Sequence, residues 1–246
     1  SKLHSGWMNM IKAWYKKYKR FKRQADNLGY ALKNGYESKI FCIGFNKTGT
    51  TSVKKSFQDH GFKVGNQAKA ELLLPNYIRQ DYNAIISYCM YYKAFQDIPF
   101  SYRHTYKNLD KAFPGSKFIL TVRDNEDQWY NSLTRFHQNI LNTKSIPTAR
   151  DLKEADYRYK GFFYDSIVTK YGTSDSDPYN YNILTDYYSK HIEEVRDYFK
   201  DREQDLIIIN LSDRGSYKRM CDFLNVSPLY DEFPWQNRTK SIESNK

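Results

Sequence analysis

The chain has few cysteines, no long apolar run and fewer acidic than basic residues. Its three cysteines, Cys42, Cys89 and Cys221, include no C-x-x-C pair, which argues against a disulfide framework or a zinc site. No stretch approaches the roughly 20 consecutive apolar residues of a membrane-spanning helix, and no signal peptide is evident. We therefore expect a cytoplasmic protein whose contact with a membrane, if there is one, is peripheral.

The shortage of acidic residues is concentrated in one segment. The full chain has 39 lysines and arginines against 28 aspartates and glutamates, a net charge of +11. Residues 1–37 contain nine of the basic and two of the acidic side chains, so this arm alone has a net charge of +7. Because residues 38–246 carry little excess charge, we expect no groove for nucleic acid on that domain.

The basic arm has the periodicity of an amphipathic helix. Its apolar residues recur at steps of four and three and so form one helical stripe: Trp7, Ile11, Trp14, Tyr18 and Phe21. Lysines and arginines flank this stripe. Three partners fit such a helix at this point, namely an anionic membrane, an acidic protein, or the chain's own domain.

A loop between two glycines follows the first buried strand. Residues 40–43 are continuously apolar, as expected of a parallel strand that is covered on both faces. Gly44 and Gly49 then bracket a loop, and residues 50–52 open a helix whose N–H groups and hydroxyls point toward it. This arrangement predicts a binding site for an oxyanion.

The loop lysine has a different position from that of an ATP-binding loop. A Walker-type loop places lysine directly after its second glycine, followed by a hydroxyl that binds magnesium. Here Lys47 lies two residues before Gly49, and Thr50 has the Walker lysine position. The lysine would then lie beside a transferred group without a metal bridge, which argues against a P-loop kinase.

A second buried strand also ends at a cation. Pro114 and Gly115 break the chain, residues 117–122 form the strand, and Arg123 follows at its carboxyl end. The next helix carries Ser132 beside its buried face. A guanidinium can make two charge-assisted hydrogen bonds to a phosphate, and a hydroxyl can add a third. The pair therefore predicts a second anion site.

Strands that alternate with helices predict an α/β fold with a mostly parallel central sheet in three layers. Further strands are expected at residues 62–66, 91–96 and 206–209. Residues 68–91 are expected to be helical with an interruption at Pro75, and a long helix is expected to start at residues 177–178. Ligands of such sheets bind beyond the carboxyl ends of the strands.

The two anion blocks resemble the signatures of the sulfotransferases that use 3′-phosphoadenosine 5′-phosphosulfate (PAPS). The segment KTGTT at 47–51 is similar to their 5′-phosphosulfate loop, and FILTVRDNEDQWYNS at 118–132 is similar to their 3′-phosphate site. The resemblance spans residues 38–237 and implies a P-loop domain over 38–246 after the arm. It also implies that PAPS is bound, without a metal, by these residues: Asn46, Lys47, Thr48, Gly49, Thr50, Thr51, Ser52, Arg123 and Ser132.

The resemblance also implies a catalytic base and a late basic contact. Asp97 stands where cytosolic relatives have the catalytic histidine of a His-x-Pro segment, and a carboxylate within hydrogen-bond reach can accept the acceptor's proton. If Asp97 is structural, His104 or His60 is the next candidate base. The tail lacks the basic-glycine segment of those relatives, and Arg238 is the candidate to replace it at the 3′-phosphate.

The activity that the resemblance implies is transfer of a sulfuryl group from PAPS to a hydroxyl or amine of a glycan, lipid or small molecule. Lys47 would be catalytic, since it would stabilise charge on the leaving phosphate. Residues 143–178 show no sustained period and would form a variable insertion on the acceptor side. The alternatives are a P-loop kinase and a non-catalytic protein that binds a nucleotide or an anionic surface.

Overall fold

The computed structural model describes the backbone of residues 2–234 and the side chains of residues 7–234. Within this range the strands are β1 (Ile40–Cys42), β2 (Ala94–Gln96), β3 (Lys117–Val122) and β4 (Leu206–Asn210). The α-helices are α1 (Lys2–Asn34), α2 (Thr50–Asp59), α3 (Gln67–Glu71), α4 (Leu74–Ile78), α5 (Tyr82–Cys89), α6 (Thr105–Ala112), α7 (Glu126–Ile140), α8 (Ala149–Glu154), α9 (Phe162–Tyr164), α10 (Tyr181–Phe199) and α11 (Ser216–Leu224). A π-helical turn (Asp165–Thr169) continues α9, and a 3₁₀ turn (Glu203–Asp205) precedes β4.

The described strands form one parallel sheet in the order β2-β1-β3-β4. The central strand β1 alternates its side chains between two buried faces. Ile40 and Cys42 pack in the cluster that includes residues of α2 and α11. Phe41 and Ile43 pack in the cluster that includes residues of α5, α6 and α10. Helices therefore cover both faces of the sheet, which confirms the three-layer α/β fold expected from the sequence.

Of two local expectations before β2, the first is wrong and the second is confirmed in outline. Residues 62–66 form only a single bridge, from Val64 to Ala94, instead of a strand. Residues 68–91 are divided among α3, α4 and α5, with Pro75 in the first turn of α4. Proline is tolerated there because the N–H that it lacks has no partner within the helix at that position. The helical segment is therefore interrupted as expected, with the break between Glu71 and Leu74 and the proline in the first turn after it.

The long helix α10 begins later than the sequence predicts. Its first residue is Tyr181, and the Asn180 side chain caps it by accepting from the Ile183 amide at 3.0 Å. The expected capping residue, Asp177, instead accepts a hydrogen bond from the Asn180 side chain at 2.7 Å. Pro178 consequently lies in the preceding turn and not at the first helical position.

The arm forms the single helix α1, and its apolar stripe is uncovered. Trp7, Trp14 and Phe21 are 62%, 67% and 69% exposed. The helix contacts the domain near its carboxyl end, where Lys39 Nζ donates to the Asn34 carbonyl at 3.0 Å and Lys63 Nζ lies 4.2 Å from the centroid of the Tyr30 ring. Among the three partners considered above, the chain's own domain is therefore excluded for the stripe. No helix in the described part of the chain is long and apolar enough to cross a membrane.

Candidate functional site

A cavity of about 640 Å³ opens beyond the carboxyl ends of β1, β2 and β3. Its lining includes the segments that follow these three strands, side chains of α3 and α7, and part of the 143–178 segment. This is the edge at which a parallel sheet with helices on both faces binds its ligands.

Two glycines allow the loop after β1 to pass close to its neighbours. A Cβ added at Gly44 would lie 2.4 Å from the backbone oxygen of Thr121, so only glycine fits beside β3. Gly49 has φ +99°, and a Cβ there would lie 2.5 Å from the Leu211 side chain. Lys47 also has positive φ, at +70°, so the backbone is strained at the residue that carries the loop's cation.

The amino end of α2 faces the cavity with free N–H groups. The first amides to bond back are those of Ser52 and Val53, which both donate to the Gly49 carbonyl. Among the described groups, the amides of Gly49, Thr50 and Thr51 donate to no carbonyl. Free amides and the positive end of the helix dipole together favour a bound anion.

Thr48 lies beneath this loop and does not line the cavity. Its hydroxyl donates to the Phe45 carbonyl at 2.5 Å and lies 2.5 Å from the Thr121 hydroxyl. Its amide also donates to Phe45, at 3.2 Å. Because both of its donors are engaged within the protein, Thr48 fixes the loop against β3.

The Lys47 ammonium extends into the cavity. Its Nζ lies 3.8 Å from the centroid of the Phe136 ring, and it forms no ion pair with any described residue. Burial lowers the pKa of Lys47, while the charge of Asp97 acts in the opposite direction. A cation held in this way, without a protein counter-ion, is suited to an anion at the amino end of α2.

Arg123 is fixed beside this lysine. Its Nε donates to the Lys47 carbonyl at 2.6 Å, and its backbone amide donates to the Tyr188 hydroxyl at 2.9 Å. Its terminal nitrogens bond to no described residue, which leaves two donors for a ligand. Ser132 and Arg135, both on α7, line the same cavity. We call Lys47, Arg123, Arg135 and the amino end of α2 the cationic wall.

Another part of the lining carries two carboxylates joined by one amide. Gln67 Nε2 donates to Glu71 Oε1 at 3.0 Å and to Asp97 Oδ2 at 3.4 Å. Glu71 is 4% exposed and forms an ion pair with Arg158. Asp97, in contrast, has no ion-pair partner among the described residues. We call Gln67, Glu71 and Asp97 the acidic wall.

Asp97 is suited to take up a proton near neutral pH. Burial, and then the negative charge of Glu71, raise the pKa of Asp97 to about 6. The rise is opposed by the Ile98 amide, which donates to Asp97 Oδ1 at 2.9 Å, and by the charges of Lys47 and Lys170. A carboxyl group whose pKa lies near the working pH can act as a general base.

Lys170 is a half-buried cation that no sequence pattern indicates. It follows the π-helical turn, and its Nζ lies 3.7 Å and 4.0 Å from the ring centroids of Tyr102 and Tyr171. It also donates to the Tyr171 hydroxyl at 2.8 Å. Burial lowers the pKa of Lys170, while the charge of Asp97 acts in the opposite direction. Lys170 therefore acts on Asp97 through its charge.

The histidines proposed as alternative bases lie away from the cavity. His60 bonds to the backbone of Ser56 and Ser227 near the end of α2, and His104 is exposed before α6. His137 of α7 does line the cavity, although the sequence did not single it out. It lies on the buried side of α7, and the sequence alone does not distinguish a histidine that lines a cavity from one that packs in the core.

The cavity gathers most of the residues that the sequence predicted. Arg238 lies outside the described residues, and Thr48 is beneath the loop. The segment 143–178 contributes four side chains to the lining: Tyr157, Phe162, Phe163 and Ser166. The predicted residues that line the cavity are Asn46, Lys47, Gly49, Thr50, Thr51, Ser52, Asp97, Arg123 and Ser132.

Comparison with known proteins identifies the family. Within the described residues, no group of three or more histidine, cysteine, aspartate or glutamate side chains could hold a metal ion. No curated protein matches the chain in sequence. The family model of the sulfotransferase domain, however, matches residues 39–242, which include the lysine loop, both walls of the cavity and the whole sheet. The chain therefore belongs to the sulfotransferase family, whose activity is the transfer of a sulfuryl group.

Proposed function

We propose that this enzyme transfers the sulfuryl group of PAPS to a hydroxyl or amine of a glycan, lipid or small-molecule acceptor. The observation that carries the proposal is the shared cavity, in which Lys47 and Arg123 lie with the candidate base Asp97. The bond from sulfur to the bridging phosphate oxygen breaks, and a bond from sulfur to the acceptor atom forms. Adenosine 3′,5′-bisphosphate leaves, and Asp97 takes the acceptor's proton.

The leaving phosphate belongs at the amino end of α2. Negative charge develops on its bridging oxygen as the bond to sulfur breaks. The free amides of Gly49, Thr50 and Thr51 and the ammonium of Lys47 are donors that need no rearrangement to meet this charge. A sulfuryl group carries less charge than a phosphoryl group, so we expect no metal to be required.

The 3′-phosphate belongs at Arg123 and Ser132. The terminal nitrogens of Arg123 offer a planar pair of donors, and Ser132 adds a hydroxyl from α7. Because Arg123 Nε holds the Lys47 carbonyl at 2.6 Å, the residue that recognises the 3′-phosphate also fixes the backbone of the catalytic lysine. Recognition of PAPS and chemistry at its sulfuryl group are thereby coupled.

A transfer assay separates this proposal from the P-loop kinase. The enzyme is incubated with PAPS, EDTA and a panel of glycans, lipids and phenols, and products are detected by mass spectrometry. We expect a sulfated product that forms equally well in EDTA. A phosphorylated product that forms from ATP and needs magnesium would contradict the proposal.

We further propose that α1 holds the enzyme on an anionic lipid surface. The side chains of residues 7–26 are all exposed, and Trp14 and Tyr18 are stacked at 5.7 Å on the apolar stripe. Tryptophan and tyrosine rings are favoured at the level of the lipid headgroups. Residues 7–34 carry eight lysines and arginines against the single acidic residue Asp26. This charge is complementary to anionic headgroups.

Charge also argues against a second copy of the chain as the partner of the stripe. Pairing two α1 helices would bring two strongly basic surfaces together, whereas anionic headgroups neutralise them. A truncation lacking residues 1–24 keeps the contacts that Tyr30 and Asn34 make with Lys63 and Lys39, so its melting temperature should change little.

The truncation should lose binding to vesicles that contain phosphatidylserine and keep turnover on a soluble acceptor. Binding of the full chain should weaken steeply with salt, since each basic residue near the surface contributes about 1 kcal/mol. Phosphatidylcholine vesicles are the control. Equal binding to both kinds of vesicle, or a self-associating full chain that binds neither, would contradict the membrane proposal.

A further inference from the structure

His137 faces the cavity with one ring nitrogen that has no protein partner. The side chain is 2% exposed and lines the cavity. Its Nδ1 lies 2.8 Å from the Tyr179 hydroxyl, and no described residue bonds to its Nε2. Nε2 is not fully enclosed by the protein, so a ligand in the cavity can reach it.

Tyr179 determines which nitrogen carries the proton. The Tyr179 side chain is 3% exposed, and its hydroxyl oxygen bonds to no other described group. A buried hydroxyl donates wherever an acceptor is available, because an unused donor in the interior is costly. The hydroxyl therefore donates to Nδ1, and the proton of the neutral imidazole lies on Nε2.

The imidazole stays neutral beside the catalytic lysine. Burial, and then the charge of Lys47, lower the pKa of His137 to about 3. The Phe136 ring links the two groups, since its centroid lies 3.8 Å from Lys47 Nζ and 5.6 Å from the His137 ring. His137 thus adds a neutral N–H donor to the cavity that holds the cation.

We propose that His137 is a catalytic residue whose Nε2–H donates a hydrogen bond to the sulfuryl group of bound PAPS. The inference rests on the proposed function. A neutral donor binds sulfuryl oxygens without taking the acceptor's proton, which leaves that role to Asp97. Removing one preorganised donor of this kind typically lowers turnover by about 10²- to 10³-fold.

Nitrogen-15 NMR of the full chain tests the inference before any acceptor is known. The probes are PAPS and adenosine 3′,5′-bisphosphate, which differ only by the sulfuryl group. We expect His137 to be the neutral Nε2–H tautomer, and its Nε2–H resonance to shift much more with PAPS than with the bisphosphate. His191 is the internal control, since it is also buried and neutral but its Nε2 bonds to the Ile43 carbonyl at 2.9 Å.

The outcomes distinguish the inference from the proposed function. PAPS binding without a shift at His137, or an Nδ1–H tautomer, would overturn the inference and leave the transferase proposal intact. Failure to bind either nucleotide would overturn the proposed function itself. In turnover, His137→Gln, which can still present an N–H, should retain at least tenfold more activity per folded molecule than His137→Leu. Equal losses of turnover in the two variants would show that His137 has a structural role only.

Discussion

The cationic wall and the acidic wall share one cavity but are held in different ways. The cationic wall depends on the backbone: it uses free amides of α2, a strained residue at Lys47, and the bond from Arg123 to the Lys47 carbonyl. The acidic wall depends mainly on side chains, since the Gln67 side-chain amide donates to both Glu71 and Asp97, and the backbone adds the Ile98 amide at Asp97.

This difference separates two kinds of chemistry. Backbone amides and Arg123 keep their charge distribution over the whole neutral pH range, so these parts of the cationic wall are prepared for an anion at any working pH. The acidic wall changes charge when Asp97 takes up a proton, because the pKa of Asp97 is raised to about 6. Substitutions in the two walls should therefore differ in how their effects depend on pH.

The largest effect should come from removing the proton acceptor. Asp97→Asn should lower turnover by about 10²- to 10⁴-fold at pH 7.5. The raised pKa means that ionised Asp97 opposes folding, and that stability is lost as pH rises from about 4 to about 6. Asparagine carries no charge and tolerates the positive φ of this position, so the melting temperature should not fall.

Asp110→Asn is the matched control for this result. Asp110 accepts from Tyr198 at 2.7 Å and from Arg202 at 2.8 Å, away from the cavity. Its substitution should lower the melting temperature and leave turnover per folded molecule unchanged. If Asp97→Asn behaves in the same way, Asp97 is a structural residue and the assignment of the base is wrong.

The next effect concerns the cationic wall. Lys47→Ala should lower kcat by about 10²- to 10³-fold and raise the KM for PAPS far less, because the ammonium acts most strongly on charge that develops in the transition state. Lys190→Ala, at an exposed position paired with Asp186, is the control. An effect confined to KM would show that Lys47 only binds the donor.

The smallest effect is a displacement of the pH profile. With Asp97 as base, kcat/KM should rise with pH through about 6 and level off above it. Glu71→Gln removes a negative charge that raises the pKa of Asp97, so the rise should move to lower pH. Glu194→Gln, which disrupts an ion pair with Arg103, should leave its midpoint unchanged. If Glu71→Gln does not move the midpoint, the group that titrates in the pH profile is not Asp97 of the acidic wall.

The sequence predicts more of the cationic wall than of the acidic wall, for a physical reason. The loop around Lys47 and the end of β3 at Arg123 are contiguous, and each follows an apolar strand whose carboxyl end must lie at the ligand edge. Gln67 and Glu71 reach the cavity because α3 lies beside β2, where Gln96 Nε2 donates to the Gln67 side-chain oxygen at 3.1 Å. Nothing in their local sequence marks that contact.

Buried and half-buried polar residues are the other group that sequence patterns cannot assign. His137 lies on the inner side of α7, and Lys170 follows a π-helical turn that no apolar period predicts. Their roles depend on what surrounds them, namely Tyr179 for the histidine and an aromatic cage for the lysine. The late start of α10 has a similar cause, since Asp177 bonds to a side chain and so does not cap the helix.

The central claim is that the cationic wall recognises a nucleotide with a 3′-phosphate. Calorimetry should show adenosine 3′,5′-bisphosphate binding much more tightly than AMP to the native enzyme. Arg123→Ala should remove most of this preference, since the guanidinium supplies two charge-assisted bonds to the extra phosphate. Equal affinity of the native enzyme for the two nucleotides would contradict the account.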